Sequence, residues 1–356
     1  MPKYRFTEIA INSTEKKKPT EADKVAYIGL EHLDTGTLKV SRWGSEVAPI
    51  GEKLIMKKGD VLFGKRRAYQ KKVGIAPFDG IFSAHGMVLR PREEVVTKEY
   101  FPLFISSDYF LNEAIRISVG SLSPTVNWKD LKDLTFELPT IEEQERIAPI
   151  IWAAMEAKNA YRTLIARADE LVKSQFIEMF GDPNNATNTA LLTDALEIRD
   201  DLRKPLNDAV RADMHHGTLY PYYGANGMVD EINEYITDYT AICLAEDCGA
   251  YGPGEASGYI IRGKAWVNNH AHVLIPKENC NIVYANEYFR LLDITSRING
   301  STRAKLTQAA MRQLPFLLPP LKDQERFAAF VEQSDKSKLM MKNIYLTGGK
   351  KYVTHL

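Results

Sequence analysis

The chain repeats part of its own sequence after 180 residues, and this repeat constrains the possible folds more than any other feature. A Gly-Ser pair and a Gln-Glu-Arg triplet recur at this offset, at residues 120–121 and 300–301 and at residues 144–146 and 324–326. Ten of the 29 residues in segment 120–148 are identical to their counterparts without a gap. Upstream similarity is weaker and needs gaps. The chain therefore consists of two tandem repeats. The N-terminal part of each repeat has diverged, whereas the C-terminal part is common to both.

The length of 356 residues agrees with two domains, because single hydrophobic cores stop growing at about 250 residues. With 44% hydrophobic and 26% charged residues, the chain has the composition of an ordinary globular protein. No apolar run is long enough to predict a membrane span, and the first five residues, Met-Pro-Lys-Tyr-Arg, lack the apolar core of a secretion signal. A cytoplasmic protein is the expectation.

The C-terminal part of each repeat is predicted to form a long helix. Thr140 followed by Glu143 forms a capping box, which marks a helix start. No glycine occurs after Thr140 until Gly181, where a termination signal follows. A helix over residues 141–181 would be about 60 Å long.

Residues spaced alternately by three and four positions form a heptad seam along both helices. The first seam is Ile147, Ile150, Ala154, Ala157, Tyr161, Leu164, Ala168 and Leu171, and the second is Phe327, Phe330, Ser334, Ser337, Met341 and Ile344. The seams predict that the helices pack on each other, and an antiparallel coiled coil is the easier topology because a domain separates them. The alternative is that each helix covers its own domain's core, but about 60 Å of helix overshoots a domain roughly 35 Å across.

The predicted fold class is α+β, with two similar α/β domains separated by two long helices that pack as an antiparallel coiled coil with a pseudo-twofold internal repeat. Gly348-Gly349 predicts that the second helix is the shorter one. The predicted boundaries are a first domain at 1–140, a long helix at 141–181, a second domain at 182–320, a shorter helix at 321–347 and a tail at 348–356.

The three cysteines, Cys243, Cys248 and Cys280, are too few and too scattered for a disulfide framework. Cys243 and Cys248 with His270 and His272 could be imagined as a zinc site. The spacing of the cysteines is not that of a zinc knuckle, so buried reduced thiols and no metal are the preferred interpretation.

Several segments, taken in order, resemble the specificity subunits of type I restriction-modification systems. Segments 143–148 (Glu-Gln-Glu-Arg-Ile-Ala) and 176–183 (Phe-Ile-Glu-Met-Phe-Gly-Asp-Pro) are similar to the linker helix of that family. Segments 27–33 and 222–227 resemble the starts of its first and second target-recognition domains. The resemblance covers nearly the whole chain and depends on the combination of repeat, order and long helix.

The resemblance implies a non-catalytic DNA-recognition subunit that reads a bipartite target in double-stranded DNA, with one target-recognition domain for each half and the helices fixing the spacer. It also implies two methyltransferase (M) subunits and restriction/translocase (R) subunits as partners. S-adenosylmethionine, ATP and magnesium are then expected in those partner subunits, with no cofactor in this chain. The short second helix departs from the family pattern and puts in doubt how the helix pair closes.

The formal net charge is zero, so a DNA interface has to be local. Five positive charges fall within residues 65–72 with no acid between them. The predicted DNA-binding residues are Lys65, Arg66, Arg67, Tyr69, Gln70, Lys71, Lys72, Ser121, Ser123, Thr125, Asn127, Tyr222, Tyr223, Asn226, Ser301, Thr302, Arg303 and Lys305. The alternatives are a solvated charged surface for the basic run, turn and capping chemistry for the polar loops, and structural roles for the tyrosines.

Two other classes of function compete with this interpretation. A helical scaffold would keep the helices without recognising DNA, and it predicts no sequence preference in binding assays. A single-chain nuclease or modification enzyme would need motifs that the chain lacks: an Asn/Asp-Pro-Pro-aromatic tetrapeptide with a glycine-rich cofactor loop, or a phosphate-binding loop. Asp60 and Lys65 only faintly resemble a nuclease motif, because no second acid stands just before the lysine.

Overall fold

The computed structural model describes residues 1–247, 251–252, 255, 258–298 and 304–353, with all their side chains except those of 341 and 343–353. Two compact units divide the chain, Met1–Lys158 and Asn159–Leu356. The division falls within the first long helix. No helix in the described ranges combines the length and the apolar character needed to cross a membrane.

The first unit contains ten short strands and the helices between them. The strands are β1 (Lys3–Arg5), β2 (Ala10–Ser13), β3 (Lys16–Lys17), β4 (Tyr27–Ile28), β5 (Lys53–Met56), β6 (Val61–Phe63), β7 (Val73–Ile75), β8 (Gly80–Phe82), β9 (Met87–Pro91) and β10 (Thr135–Glu137). The helices are α1 (Phe6–Ile9), α2 (Phe101–Ser106), α3 (Asp108–Arg116), α4 (Trp128–Leu131) and the long α5 (Ile141–Phe180), with 3-10 turns at Glu21–Ala26, Leu30–His32 and Ala68–Gln70.

The second unit contains a similar set of elements. Its strands are β11 (Ala190–Leu191), β12 (Leu196–Ile198), β13 (Tyr220–Gly224), β14 (Gly227–Ile232), β15 (Thr237–Asp238), β16 (Ala241–Ala245), β17 (Gly258–Ile261), β18 (Lys264–Val267), β19 (Ala271–Pro276) and β20 (Pro315–Phe316). Its helices are α6 (Leu192–Ala195), α7 (Asp208–Asp213), α8 (Ile282–Leu291), α9 (Gln308–Arg312) and α10 (Leu321–Val353), with 3-10 turns at Asp200–Leu202 and Thr295–Arg297.

The two units share one framework. In each, an antiparallel ribbon joins the first and last strands, β1 with β10 and β11 with β20, and a four-stranded antiparallel sheet has the equivalent order, β2-β9-β6-β7 and β12-β19-β16-β17. The strands β6 and β16 are apolar and buried along their whole length, as expected for strands covered on both faces. The predicted duplication of an α/β domain is therefore confirmed.

The second sheet of each unit differs, and this is where the sequence copies have diverged. Its order is β3-β5-β8-β4 in the first unit and β14-β13-β18-β15 in the second. The parallel pair is at the edge in the first unit, between β4 and β8, but in the centre in the second, between β13 and β18. Sequence similarity is thus retained where the chain builds the framework and disappears where this sheet is connected differently.

The repeated Gln-Glu-Arg triplet contains a buried clamp. The Gln144 amide accepts a hydrogen bond from the Thr97 N–H at 2.9 Å and donates to the carbonyls of Val95 and Pro139 at 3.0 and 2.9 Å. Gln324 makes the same three contacts in the second unit, with the Asn281 N–H and the Asn279 and Pro319 carbonyls, at 2.9, 3.0 and 2.7 Å. Both side chains are fully buried. The clamp fixes the start of each long helix to the turn before α2 or α8.

Gln144→Ala is expected to lower the free energy of unfolding of the first unit by about 3 kcal/mol, because it leaves a buried N–H and two carbonyls without partners. Hydrogen exchange followed by mass spectrometry measures the loss in peptides of that unit. The exposed neighbour Glu145, changed to alanine, is the control. Equal protection in the two variants would contradict the clamp.

The helix α5 begins with the predicted capping box. The Thr140 N–H donates to Glu143 Oε2 at 3.0 Å, and the Glu143 N–H donates to Thr140 Oγ1 at 3.3 Å. The helix then continues to Phe180, one residue before Gly181. The length and position of the first long helix were therefore predictable from these signals.

Within the second unit the two long helices contact each other in antiparallel fashion. Asp169 of α5 accepts a hydrogen bond from the Lys338 ammonium of α10 at 2.6 Å. Further along α5, Phe176 and Phe180 contact Phe327, with ring centroids 5.3 and 5.7 Å apart. The residue numbers rise along α5 as they fall along α10, which is the antiparallel arrangement that the seams predicted.

The predicted seam has the observed spacing but not the observed phase. Ile150, Ala154, Ala157, Leu164 and Leu171 are exposed, whereas Ile147, Tyr161 and Ala168 are half-buried. At both ends of α5 the inward row runs one residue later: Ala148, Ile151 and Met155, then Ile165, Asp169, Val172 and Phe176; between these ends Arg162 of the same row is exposed. The correction follows from how the ends of α5 are covered: Ala148 packs in the core of the first unit and Phe176 in that of the second.

Only part of the second seam agrees with the structure, and the rest lies outside the described side chains. Phe327 is buried, Phe330 and Ser334 are half-buried, and Ser337 is exposed. The side chains of Met341 and Ile344 are not among those described. The helix also extends to Val353 instead of ending near 347, because two glycines lower helix propensity by only about 1 kcal/mol each and do not remove a backbone donor.

Candidate nucleic-acid interface

The basic run of the first unit lies on the loop between β6 and β7. The Gly64 N–H donates to the Lys72 carbonyl at 2.9 Å and closes this loop. Arg67 and Lys71 have φ angles of 53° and 50°, a left-handed conformation that only these two non-glycine residues adopt in the described part of the chain. Such strain persists where the surrounding structure holds it, and it is frequent at functional sites.

Two of the five cations in this run have structural partners. The Lys71 ammonium donates to Asp108 Oδ1 of α3 at 2.5 Å, and the Lys72 ammonium donates to the Leu30 carbonyl at 2.7 Å. These contacts tie the loop to α3 and to the turn after β4. Both ammonium groups thus have partners within the chain, and their contact with DNA stays a prediction.

The other three cations, Lys65, Arg66 and Arg67, form no ion pair with any residue in the described ranges. Their backbone is paired with other loops instead: Arg66 N–H donates to the His85 carbonyl at 3.1 Å, and Arg67 N–H donates to the Pro124 carbonyl at 2.7 Å. The Lys65 carbonyl accepts from Val126 N–H at 2.9 Å. We call the residues 65–67, His85 and 119–127 the basic surface.

The electrostatics of the basic surface leave it short of negative charge. Burial, and after it Lys16, lower the pKa of the Lys65 ammonium. Burial also lowers the pKa of His85, with Arg66, Lys65 and Lys53 contributing. A phosphate group would offset this repulsion between like charges, so the surface is suited to an anion. Lys16 of β3 and Lys53 of β5, which the sequence did not single out, contribute to these shifts, although Glu52 pairs with Lys16 and the Ile50 and Gly51 carbonyls accept from Lys53.

The predicted polar candidates of the first unit lie on or beside this surface. Ser123 Oγ accepts a hydrogen bond from Arg67 Nε at 3.4 Å, and the Thr125 hydroxyl donates to the Ser123 carbonyl at 3.0 Å. Ser121 is exposed, and Asn127 occupies the N-cap of α4 without a side-chain capping bond.

Two further candidates belong to the loop itself. Tyr69 is half exposed, and the Gln70 carbonyl accepts from the Thr35 hydroxyl at 2.7 Å. The fold thus brings the basic run and the loop before α4 together, although more than 50 residues separate them in sequence.

The equivalent position in the second unit has the opposite charge. Leu306 N–H donates to the Glu246 carbonyl at 2.7 Å, and Asp247 forms an antiparallel bridge with Lys305. In the first unit Val126 bonds to Lys65 and Thr125 bridges to Arg66 in the same way. Lys65-Arg66 therefore corresponds to Glu246-Asp247, and the alignment between the copies hid this because it needs a one-residue gap here.

The acids of the second unit belong to a buried ionic network. Glu246 accepts from Arg203 and, at 2.6 Å, from the Lys305 ammonium. His272 is fully buried, with Nδ1 2.8 Å from Asp200 and Nε2 2.8 Å from the Leu306 carbonyl. Both of its ring nitrogens therefore have partners within the network.

The pKa values of the two acids follow from this network. Burial alone would raise the pKa of Glu246, but Lys305 and Arg203 outweigh it and lower the pKa. Burial would likewise raise the pKa of Asp200, and hydrogen bonds from His272 and Gln308 lower it. Lys305, a predicted DNA ligand, is therefore paired internally. The zinc interpretation also loses His272, whose ring nitrogens are both engaged, and Cys243, whose pKa burial raises to about 12.

The other candidates of the second unit have mixed outcomes. Tyr222 is 2% exposed and packs with Ile232 and Trp266, so its interpretation as a groove reader is wrong. Tyr223 lies within β13, half-buried against Tyr259, rather than on a loop. The aromatic residues of this segment indicated a buried strand, whereas the adjacent glycine had suggested a loop.

The remaining candidates of that unit lie on turns or outside the described ranges. Asn226 is exposed at the two-residue turn between β13 and β14. Ser301, Thr302, Arg303 and Cys248 lie outside the described residues. His270, which the zinc interpretation included, has its Nδ1 2.8 Å from Asp247 Oδ1.

Asp60, the acid of the faint nuclease-like motif, is engaged in a structural ion pair. Arg90 donates to both of its carboxylate oxygens, at 2.8 and 2.9 Å, and the Lys57 N–H donates to it at 2.8 Å. Asp60 is buried. This bidentate pair holds β9 beside β6 and uses the carboxylate oxygens that a metal would require.

The described residues form two domains with one α/β framework, and Lys65, Arg66 and Arg67 of the first domain have no ion pair among them. The sequence model of the type I restriction modification DNA specificity domain matches this chain twice, over residues 6–160 and 203–345. The chain therefore belongs to that family.

Relatives and solved structures agree with the family. A putative type I restriction enzyme specificity subunit of Haemophilus influenzae is 32% identical over 40% of this chain and 35% of its own length. The EcoDI specificity subunit of Escherichia coli is 23% identical over 49% of this chain and 40% of its own. This chain thus matches well under half the length of either relative.

Two solved structures share the fold. The S subunit of a type I restriction-modification system from M. genitalium has a TM-score of 0.62 at 14% identity, over 97% of this chain and 92% of that one. A chain from a structure concerning complex assembly and conformational transition of the type I R-M system has a TM-score of 0.50 at 19% identity, over 98% and 94%.

Proposed function

We propose that this protein is the DNA sequence-specificity subunit of a type I restriction-modification complex. Its two recognition domains bind the two parts of a split target in double-stranded DNA. The observation that carries the proposal concerns Lys65, Arg66 and Arg67. They lie on hydrogen-bonded loops of the first domain and form no ion pair with the described residues. Phosphate contacts by such cations position a protein on DNA, and neighbouring polar groups then read base edges.

The two domains would use different chemistry for this task. The first holds the DNA backbone with unpaired cations, whereas the second has acids at the equivalent position and neutralises them internally. Reading by the second domain would therefore depend on other residues, among them Asn226 and the predicted ligands Ser301, Thr302 and Arg303. A difference of this kind suits a protein whose two half-targets differ in sequence.

The proposed partners are two methyltransferase subunits and the restriction/translocase subunits, which would bind S-adenosylmethionine, ATP and magnesium. The chain itself would contribute recognition and no catalytic group. Support comes from the family membership and from Asp60, whose carboxylate is committed to Arg90.

Coexpression with its methyltransferase partner in a host that lacks DNA methylation tests the proposal. Methylome sequencing is expected to find one bipartite motif with methylated adenines and an unspecified spacer. The methyltransferase expressed alone is the control and should leave the motif unmodified. A bound complex without sequence preference would favour the scaffold alternative, and methylation or cleavage by this chain alone would favour the enzyme.

A further inference from the structure

The loop before α4 carries an apolar side chain at its most exposed point. Val119 and Thr125 exchange two backbone hydrogen bonds, of 3.0 and 2.9 Å, and close a loop whose middle residue is Leu122. Leu122 is 89% exposed and Val119 is 64% exposed. Leu122 therefore adds almost nothing to the core of the first unit, and its side chain is free to bury apolar area against a ligand.

The apex is held in place by the segments around it. Thr125 bridges both to Val119 and to Arg66, so three backbone segments lie side by side beneath the loop. Gly120 has a φ angle of 118°, a conformation that side-chain-bearing residues rarely adopt, and it turns the chain toward the apex. Because two backbone hydrogen bonds already close the loop, an interaction through Leu122 costs less conformational entropy than one through an open loop.

The neighbours of Leu122 indicate what the side chain meets. Ser123, the next residue, accepts a hydrogen bond from Arg67, and Arg66 is paired to the same loop through Thr125. The apolar apex therefore rises from the basic surface itself. Proteins that bind the minor groove with Lys and Arg frequently insert an apolar side chain between base steps, which unstacks them and kinks the duplex.

We propose that Leu122 is a wedge that enters the base stack of the half-target bound by the first domain. The proposal rests on the proposed function, and it adds a positioning role that no polar contact supplies. The wedge would be confined to one domain, because the residue at the repeat offset is Thr302, a polar side chain. At this point the protein would discriminate between DNA sequences by the free energy needed to unstack the base step.

Fluorescence of 2-aminopurine tests the wedge. The complex with the methyltransferase partner is bound to target duplexes in which each adenine is replaced in turn, since this base brightens when it is unstacked. We expect a first rise in fluorescence at the adenines that are flipped for methylation, and a second rise at one other step, in the first half-target. Leu122→Ala should abolish only the second rise and weaken binding about tenfold, because alanine buries less apolar surface than leucine.

Matched variants separate the wedge from a general loss of affinity. Leu122→Met should keep both rises, because the side chain is still long and apolar, and Val25→Ala, which truncates a residue 68% exposed elsewhere in the unit, should change nothing. All variants should have the same melting temperature as the wild type. An unchanged pattern in Leu122→Ala, or sequence-specific binding without a second rise, overturns the wedge and leaves the proposed function standing. Binding without sequence preference overturns both.

Discussion

Simultaneous replacement of Lys65, Arg66 and Arg67 by alanine is expected to weaken target binding by the methyltransferase complex about 100-fold or more, since hydrogen bonds to charged groups contribute about 1.5 kcal/mol or more each. The slope of log affinity against log salt should also become shallower by about 0.9 for each phosphate that the variant no longer neutralises. Titration of a labelled duplex at several salt concentrations measures both quantities. The effect should be similar for target and non-target DNA, because phosphate contacts carry no base sequence.

The same sequence run supplies the control. Lys71 and Lys72 replaced by alanine remove two charges from the same loop, but their ammonium groups are bound to Asp108 and to the Leu30 carbonyl. We expect less than about a threefold loss of affinity from this pair, in keeping with ammonium groups that are already satisfied. Equal losses in the two variants would show that net charge, and not the basic surface, governs binding.

Glu246→Gln is expected to destabilise the second unit by about 3 kcal/mol, because removing one member of a buried ionic network leaves its partners uncompensated. Arg203 and Lys305 would both lose their shared carboxylate. Hydrogen exchange in peptides of the second unit measures the loss. The exposed Glu234, changed to glutamine, is the control and should cost almost nothing.

The network also predicts a pH dependence with a definite sign. The pKa of Glu246 is lowered from 4.5 and that of Asp200 from 3.8 in the folded protein. Their stabilisation is therefore complete above these ordinary values and disappears as the pH falls below them through the folded-state pKa values. The wild type should lose stability in acid more steeply than Glu246→Gln. Parallel curves would mean that Glu246 does not contribute in its charged form.

The long helices illustrate how far a pattern predicts packing. The capping box and the absence of glycine placed α5 correctly, and the spacing of three and four predicted a helix with one covered side. Neighbouring rows on a helix, one residue apart, share that spacing. Gln144 belongs to the row that is covered, and its polarity concealed that row, although a buried glutamine with three partners is as suitable there as an apolar residue.

The basic run illustrates the same limit for a site. Five cations look alike in the sequence, yet Asp108 and the Leu30 carbonyl hold Lys71 and Lys72, whereas Lys65, Arg66 and Arg67 have no acidic partner among the described residues. Tyr222 was misread for a related reason. A tyrosine beside glycine suits either a recognition loop or a strand, and only its contacts with Ile232 and Trp266 decide for the core.

The sequence by itself determined the duplication, the family, the two long helices and the region where the first domain carries unpaired charge. These depend on local order along the chain: repeats, caps and runs of one residue type. The tertiary structure decided which face of each helix is covered, which cations are unpaired, and that Glu246-Asp247 takes the place of Lys65-Arg66. Those outcomes depend on partners distant in sequence, whose charges and hydrogen bonds act only once folding brings them within a few ångströms.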